Sequence, residues 1–147
     1  MSLQLTKVIT MANASYGDQA ISEVLDRPLE KWPNQDGRFL IHLEHPEFSG
    51  LCPRSGYPDS GCIVLDYIPG NWVVELKDFK LYINSFRSQR ISHERVVNVI
   101  ADRLFKELEP HAMRVIGDFM RRGGVKTVIT VERGQAHLFP SYTSQVL

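Results

Sequence analysis

Cys52 lies in a segment, Phe48 to Asp59, whose composition suits a thiol held for chemistry. Pro53 follows it directly, Pro58 comes shortly after, and Gly50 and Gly56 flank it. Two prolines and two glycines in so short a span exclude a helix interior or a central strand, so the cysteine belongs on a loop of restricted shape. The prolines fix φ and Gly56 permits a turn, which lets Asp59 fold back toward the sulfur. A thiolate beside a carboxylic acid is a nucleophile paired with a proton donor. The opposing reading is a small buried hydrophobe, the commonest fate of a free cysteine.

Two further groups could carry chemistry. Lys77 and Lys80 are spaced to share a helix face and could address one phosphate near the helix start, although lysines on a solvated amphipathic face are common. His93-Glu94 follows Ser92, a good N-cap, where an acid is explained by the helix dipole alone. In a binding role, the Glu94 carboxylate would accept paired N–H donors from a guanine-like ring, with His93 as proton relay or orienting donor. A metal centre is not expected: His42 and His45 point to opposite faces of a strand, and no C-x-x-C or H-E-x-x-H spacing occurs. Neither G-x-G-x-x-G after a strand nor a Walker loop is present, so a nucleotide would bind outside the familiar folds.

The elements that must position these groups follow from periodicity. Arg38–His45, bounded by Asp36-Gly37 and Pro46, predicts a strand, and Cys62–Ile68, stopped by Pro69-Gly70-Asn71, a second. Trp72–Glu75 is extended. From about Lys77, Phe79, Tyr82, Ile83 and Phe86 recur at helical spacing, and Val96, Val97, Ile100, Leu104 and Leu108 mark a second helix ended by Pro110. His111–Met120 and Val125–Glu132 predict two strands joined at Arg121-Arg122-Gly123-Gly124, with glycine in the φ > 0 positions. The order ββααββ gives an α+β fold, an antiparallel sheet with two helices on one face. Its open edges predict closure with other copies into a ring.

The 147 residues suit a single domain: an N-terminal arm over 1–36 with at most a short helix at Asp18–Leu25, a core over 37–133, and a partly ordered tail over 134–147. Seventeen basic residues balance seventeen acidic ones, so no positive field invites a nucleic acid. No run approaches the roughly 18 apolar residues of a spanning helix. With two cysteines and no visible secretory leader, a cytoplasmic protein with a small-molecule partner is expected.

Together and in this order, from about Phe39 to Glu132, these segments resemble the NADPH-dependent 7-cyano-7-deazaguanine reductases, the queuosine-pathway nitrile reductases, in their short single-module form. Glu47 to Asp59 reproduces the family pattern Glu-Phe-Ser/Thr-x-Leu-Cys-Pro-x-Ser/Thr-Gly-x-Pro-Asp. Glu75 to Tyr82, then Ser85-Phe86-Arg87, follows a second shared motif associated with the cofactor, and Arg122-Gly123-Gly124 a third. The resemblance implies Cys52 as nucleophile, Asp59 as acid and His93 as a further catalytic group. It assigns Val74, Glu75, Leu76, His93 and Glu94 to the deazaguanine, and Lys77, Lys80 and Arg122 to NADPH. Asp78 departs from the pattern, placing an acid near the proposed phosphate site where a small residue is usual. The tunnelling fold is implied, with subunits closing into a pentameric barrel, two barrels forming a decamer, and sites between subunits, to which Glu94 is expected to come from the neighbour. The implied reaction is a covalent thioimide on Cys52, reduced twice. Two rivals stand: a thioimide-forming amidinotransferase acting on tRNA, and a purine- or pterin-binding module of the same fold without chemistry.

Overall fold

Alternation along the second long strand decides how the chain layers. Ile63, Leu65 and Tyr67 point to one face and join the main core; Cys62 and Val64 point to the other. The structure is a computed structural model describing residues 16–135 and 139–147. Its elements are α1 (Tyr16–Leu25), β1 (Lys31–Pro33), β2 (Ile41–Leu51), β3 (Pro58–Ile68), β4 (Trp72–Val74), α2 (Leu76–Asn84), a 3-10 turn (Ser85–Ser88), α3 (His93–Leu108), β5 (Ala112–Phe119) and β6 (Val128–Gly134). The four long strands form one antiparallel sheet in the order β2-β3-β5-β6. Phe79, Tyr82 and Ile83 of α2 and Val96, Val97, Ile100 and Leu104 of α3 are buried in the same core as Ile63, Leu65, Met113 and Val115, so both helices cover one face. This is the expected α+β, ββααββ arrangement. Gly117 lets α3 approach, since a Cβ there would stand 2.5 Å from Val97 and 2.6 Å from the Phe119 ring. No helix among the described residues is long and apolar enough to cross a membrane.

β2 does not stop at Pro46. It runs on to Leu51, with a register shift between His45 and Phe48. The strand lies at the sheet edge, where a residue without an N–H is tolerated, and the bulge absorbs the irregularity. β3 likewise starts earlier than expected, at Pro58, so Asp59 is a strand residue paired with Gly50. The cysteine loop is therefore only Cys52 to Tyr57. The Cys52 N–H donates to the Tyr57 carbonyl at 2.7 Å, and the Gly56 N–H, at φ 76°, donates to the Cys52 carbonyl at 2.8 Å.

The N-terminal segment is part of the fold. β1 pairs with β4, and Val24 and Leu29 are buried in the main core. Asp78 explains the attachment. Its carboxylate is 2 % exposed and accepts from both terminal nitrogens of Arg27, at 2.5 and 3.0 Å, and from the Glu30 N–H at 2.7 Å. The Arg27 bonds, with the Glu30 N–H adding to them, hold this carboxyl below its ordinary value of 3.8. A depressed pKa stabilises the fold fully above the unfolded value, and that contribution is lost as pH falls through the folded one. Asp78→Asn should therefore cost about 1–2 kcal/mol at pH 7, allowing for the half-exposed Arg27. In urea titrations the gap from wild type should narrow below pH 3.8; an equal gap at pH 7 and pH 2.5 would show that shape, not charge, does the work.

Candidate active site

The β2–β3 hairpin, the start of α3 and the β5–β6 turn meet at one cleft of about 310 Å3, lined by Cys52, Pro53, Asp59, Ser92, His93, Glu94 and Arg122. Each arrives by local necessity. Cys52 is the residue after the last β2 pair, Leu51 with Pro58. His93 and Glu94 open α3, where the Ser92 Oγ accepts from the Arg95 N–H at 3.1 Å as the N-cap. Arg122 sits in a two-residue glycine turn, Gly123 and Gly124 at φ 55° and 81°, whose backbone closes on Val125. Larger clefts exist, one of about 480 Å3 on the sheet face away from the helices, but neither of the two cysteines lines it.

The thiol is tuned. Hydrogen bonding from Ser55, first its hydroxyl and then its N–H at 3.5 Å from Sγ, lowers the Cys52 pKa to about 7; the Arg54 N–H and the Arg122 charge add to this against desolvation. About half the thiol is therefore thiolate at neutral pH, which is the nucleophilic form. Cys62 is the contrasting case: buried on the other sheet face, it has its pKa raised by desolvation.

Asp59 is buried, 6 % exposed, in charge contact with Arg122 through Oδ1, and its Oδ2 stands 3.4 Å from His93 Nε2. Asp59 Oδ1 and His93 Nε2 are buried, and the Arg122 guanidinium and the Asp59 carboxylate stand against them in contacts that lack hydrogen-bond geometry. The His93 ring stacks on Phe119 with centroids 3.9 Å apart and planes at 6°. Burial pushes its pKa down, so the imidazole is neutral near pH 7 and suited to passing a proton. Glu94 is exposed at the rim, and its carboxylate bonds to none of the described residues.

The chain thus brings Cys52, Asp59, His93, Glu94 and Arg122 together. Glu94 lies in the same chain's cleft as Cys52, which corrects the expectation that the neighbour supplies it. Arg122, assigned by resemblance to the cofactor, contacts Asp59 and stands apart from the two lysines, which line other clefts. Val74 is buried, and the Glu75 carboxylate caps α2, accepting from the Lys77 and Asp78 N–H groups at 3.0 and 2.8 Å. Leu76 is 61 % exposed beside His45 and Phe79, and His45 lies seven residues before Cys52, roughly 20 Å of strand. Ser55 and Phe119 were missed by sequence reasoning. The Cys-Pro-x-Ser spacing was a readable signal for Ser55, whereas nothing local points to Phe119, which reaches His93 only through sheet register.

Lys77 and Lys80 are exposed on the first turns of α2, and neither ammonium is paired among the described residues, which fits a phosphate. Asp78 is paired with Arg27, but it lines the same cleft as Lys77, whose charge also helps to lower its pKa.

Residues 58–137 match a family model described as QueF-like protein. The chain is 50 % identical over 119 residues to the NADPH-dependent 7-cyano-7-deazaguanine reductase of Sulfurimonas denitrificans, covering 80 % of this chain and 95 % of that protein. The protein of the same name from Aquifex aeolicus is 46 % identical over 118 residues, 79 % of this chain and 89 % of its own. Among solved structures, an apo archaeosine synthase QueF-Like shares the fold with a TM-score of 0.64 at 24 % identity, covering 69 % of this chain and 99 % of that one, in line with a tunnelling fold. On sequence, cleft and fold together, this chain belongs to the family of the NADPH-dependent 7-cyano-7-deazaguanine reductases.

Proposed function

We propose that this chain reduces the nitrile of 7-cyano-7-deazaguanine to the aminomethyl group with two NADPH, in the queuosine pathway and in the cytoplasm. The observation that carries the reading is a thiol of pKa about 7 sharing a cleft with a buried carboxyl and a neutral imidazole. The Cys52 sulfur adds to the nitrile carbon, forming a C–S bond as one C≡N π bond breaks. The nitrogen takes up the proton that the thiol gave up, handed on by Asp59 with His93 alongside. The product is a thioimide, a C=N unit more readily reduced than a nitrile. Two NADPH, when bound, would each supply one hydride to this carbon; the C–S bond breaks between the two transfers, which frees the Cys52 thiol before the amine level is reached. Lys77 and Lys80 hold its phosphate groups. Glu94 accepts the paired N–H groups of the deazaguanine edge.

A role for Val74 to Leu76 at the substrate requires a second copy, because within one chain Leu76 lines a different cleft from Cys52, and neither Val74 nor Glu75 lines the Cys52 cleft. The assembly is a homo-oligomer, a decamer of two pentamers. The test is NADPH oxidation with 7-cyano-7-deazaguanine, expected at two NADPH per amine formed. Cys52→Ala and Leu76→Arg proteins, each inactive, should regain turnover when unfolded together and refolded as mixed assemblies. No NADPH oxidation by wild type sinks the function; no recovery in well-mixed assemblies sinks the shared site alone.

A further inference from the structure

The turn that carries Arg122 has no packing of its own, since Met120 to Val125 are all exposed. Its position must therefore be set by tethers. The Met120 N–H donates to Ser60 O at 2.9 Å, and the Arg121 N–H to Leu147 O at 3.3 Å. Immediately after the turn, Lys126 Nζ donates to Asp118 Oδ1 at 2.6 Å, to Phe119 O at 2.7 Å and to Val146 O at 2.7 Å. Asp118 is wholly buried, and besides Lys126 it accepts from Tyr142 Oη at 2.6 Å, Ser144 Oγ at 2.8 and 2.9 Å, and the Gln145 N–H at 3.2 Å. Burial alone would raise this carboxyl, but the bonds from Lys126, Tyr142 and Ser144 outweigh it and keep it ionised. Tyr142 and Val146 then cover Cys62, Val64 and Ile116 on the sheet face away from the helices.

A buried carboxylate that gathers one donor from the hairpin and three from a distant segment couples the two, because moving either leaves a desolvated charge short of partners. We propose that the segment Ser141–Leu147, latched through Asp118 and Lys126, positions the β5–β6 turn so that Arg122 meets Asp59 beside Cys52. Tyr142, Ser144 and Lys126 are thus positioning residues for a site that none of them lines. The inference rests on the reading of Cys52 and Asp59 as reacting groups, but its test reads the thiol itself and needs no turnover.

The test is the pH dependence of Cys52 alkylation by iodoacetamide, followed by peptide mass spectrometry, in the wild-type and Arg122→Gln backgrounds. The other titratable groups of the cleft, Asp59, His93 and Glu94, are common to every variant. Tyr142→Phe/Ser144→Ala should raise the midpoint by about half a pH unit in the wild-type background, as expected for drawing a cation away from a thiolate. In the Arg122→Gln background the same pair should change nothing further, which a general loosening of the sheet would not reproduce. An unmoved midpoint, or an equal shift in both backgrounds, overturns the proposal. Tyr142→Phe alone keeps the ring over Cys62 and should show a smaller shift of the same sign, so the outcome does not depend on the double variant folding.

Discussion

Cys52→Ala should abolish nitrile reduction, a fall of roughly 10⁴-fold or more in turnover, because no other side chain in the cleft can form a carbon–sulfur bond. Pro53, Ser92 and Asp59 offer no comparable nucleophile, and Cys62 is on the opposite sheet face beneath Tyr142. Intact-protein mass spectrometry of wild type with 7-cyano-7-deazaguanine and no NADPH should show one adduct per chain with the full mass of the nitrile, since addition releases no leaving group. Its formation should follow the thiolate, rising with pH through about 7. The sign follows from the lowered pKa: ionisation is nearly complete at pH 8 and small at pH 6. An adduct of the same mass on the Ala variant would disprove Cys52 as the nucleophile.

Asp59→Asn should lose about 10²- to 10⁴-fold in turnover while still binding ligand, because the amide keeps the shape but cannot hand on a proton. The geometry separates this from an indirect effect on the thiol. Removing the carboxylate takes a negative charge away from the cleft and frees Arg122 from its ion pair, so Cys52 should be alkylated at neutral pH at least as fast as in wild type. Slow turnover with undiminished alkylation places the loss in proton transfer. If alkylation falls in step with turnover, Asp59 acts by organising the thiol instead, and the acid role fails.

Much of the site was legible in the order of residue types. Proline and glycine around Cys52 forced a loop; Ser92 and Pro110 bounded α3; Gly123-Gly124 made the turn. Each is a local steric or hydrogen-bonding constraint, and such constraints act over a few residues whatever the rest of the chain does. Where sequence reading fell short, the deciding contacts were distant. Pro46 looked like a strand end, yet β2 continues because it lies at a sheet edge and can bulge. Asp78 read as a charge facing a phosphate site, but its partner Arg27 is 51 residues away. The final segment read as partly ordered from its place at the end of the chain, but its attachment depends on the buried Asp118.

By itself, then, the sequence determined which residues are candidates for nucleophile and acid, the loop that carries the cysteine, the ββααββ order and the family. Tertiary structure decided what those groups face: a Ser55-lowered thiol, an Asp59 held between Arg122 and His93, a His93 stacked on Phe119, and a Glu94 in the same chain's cleft. The physical reason is range. Propensity, capping and turn chemistry act between near neighbours, whereas ionisation and burial depend on groups that only strand register and helix packing bring together.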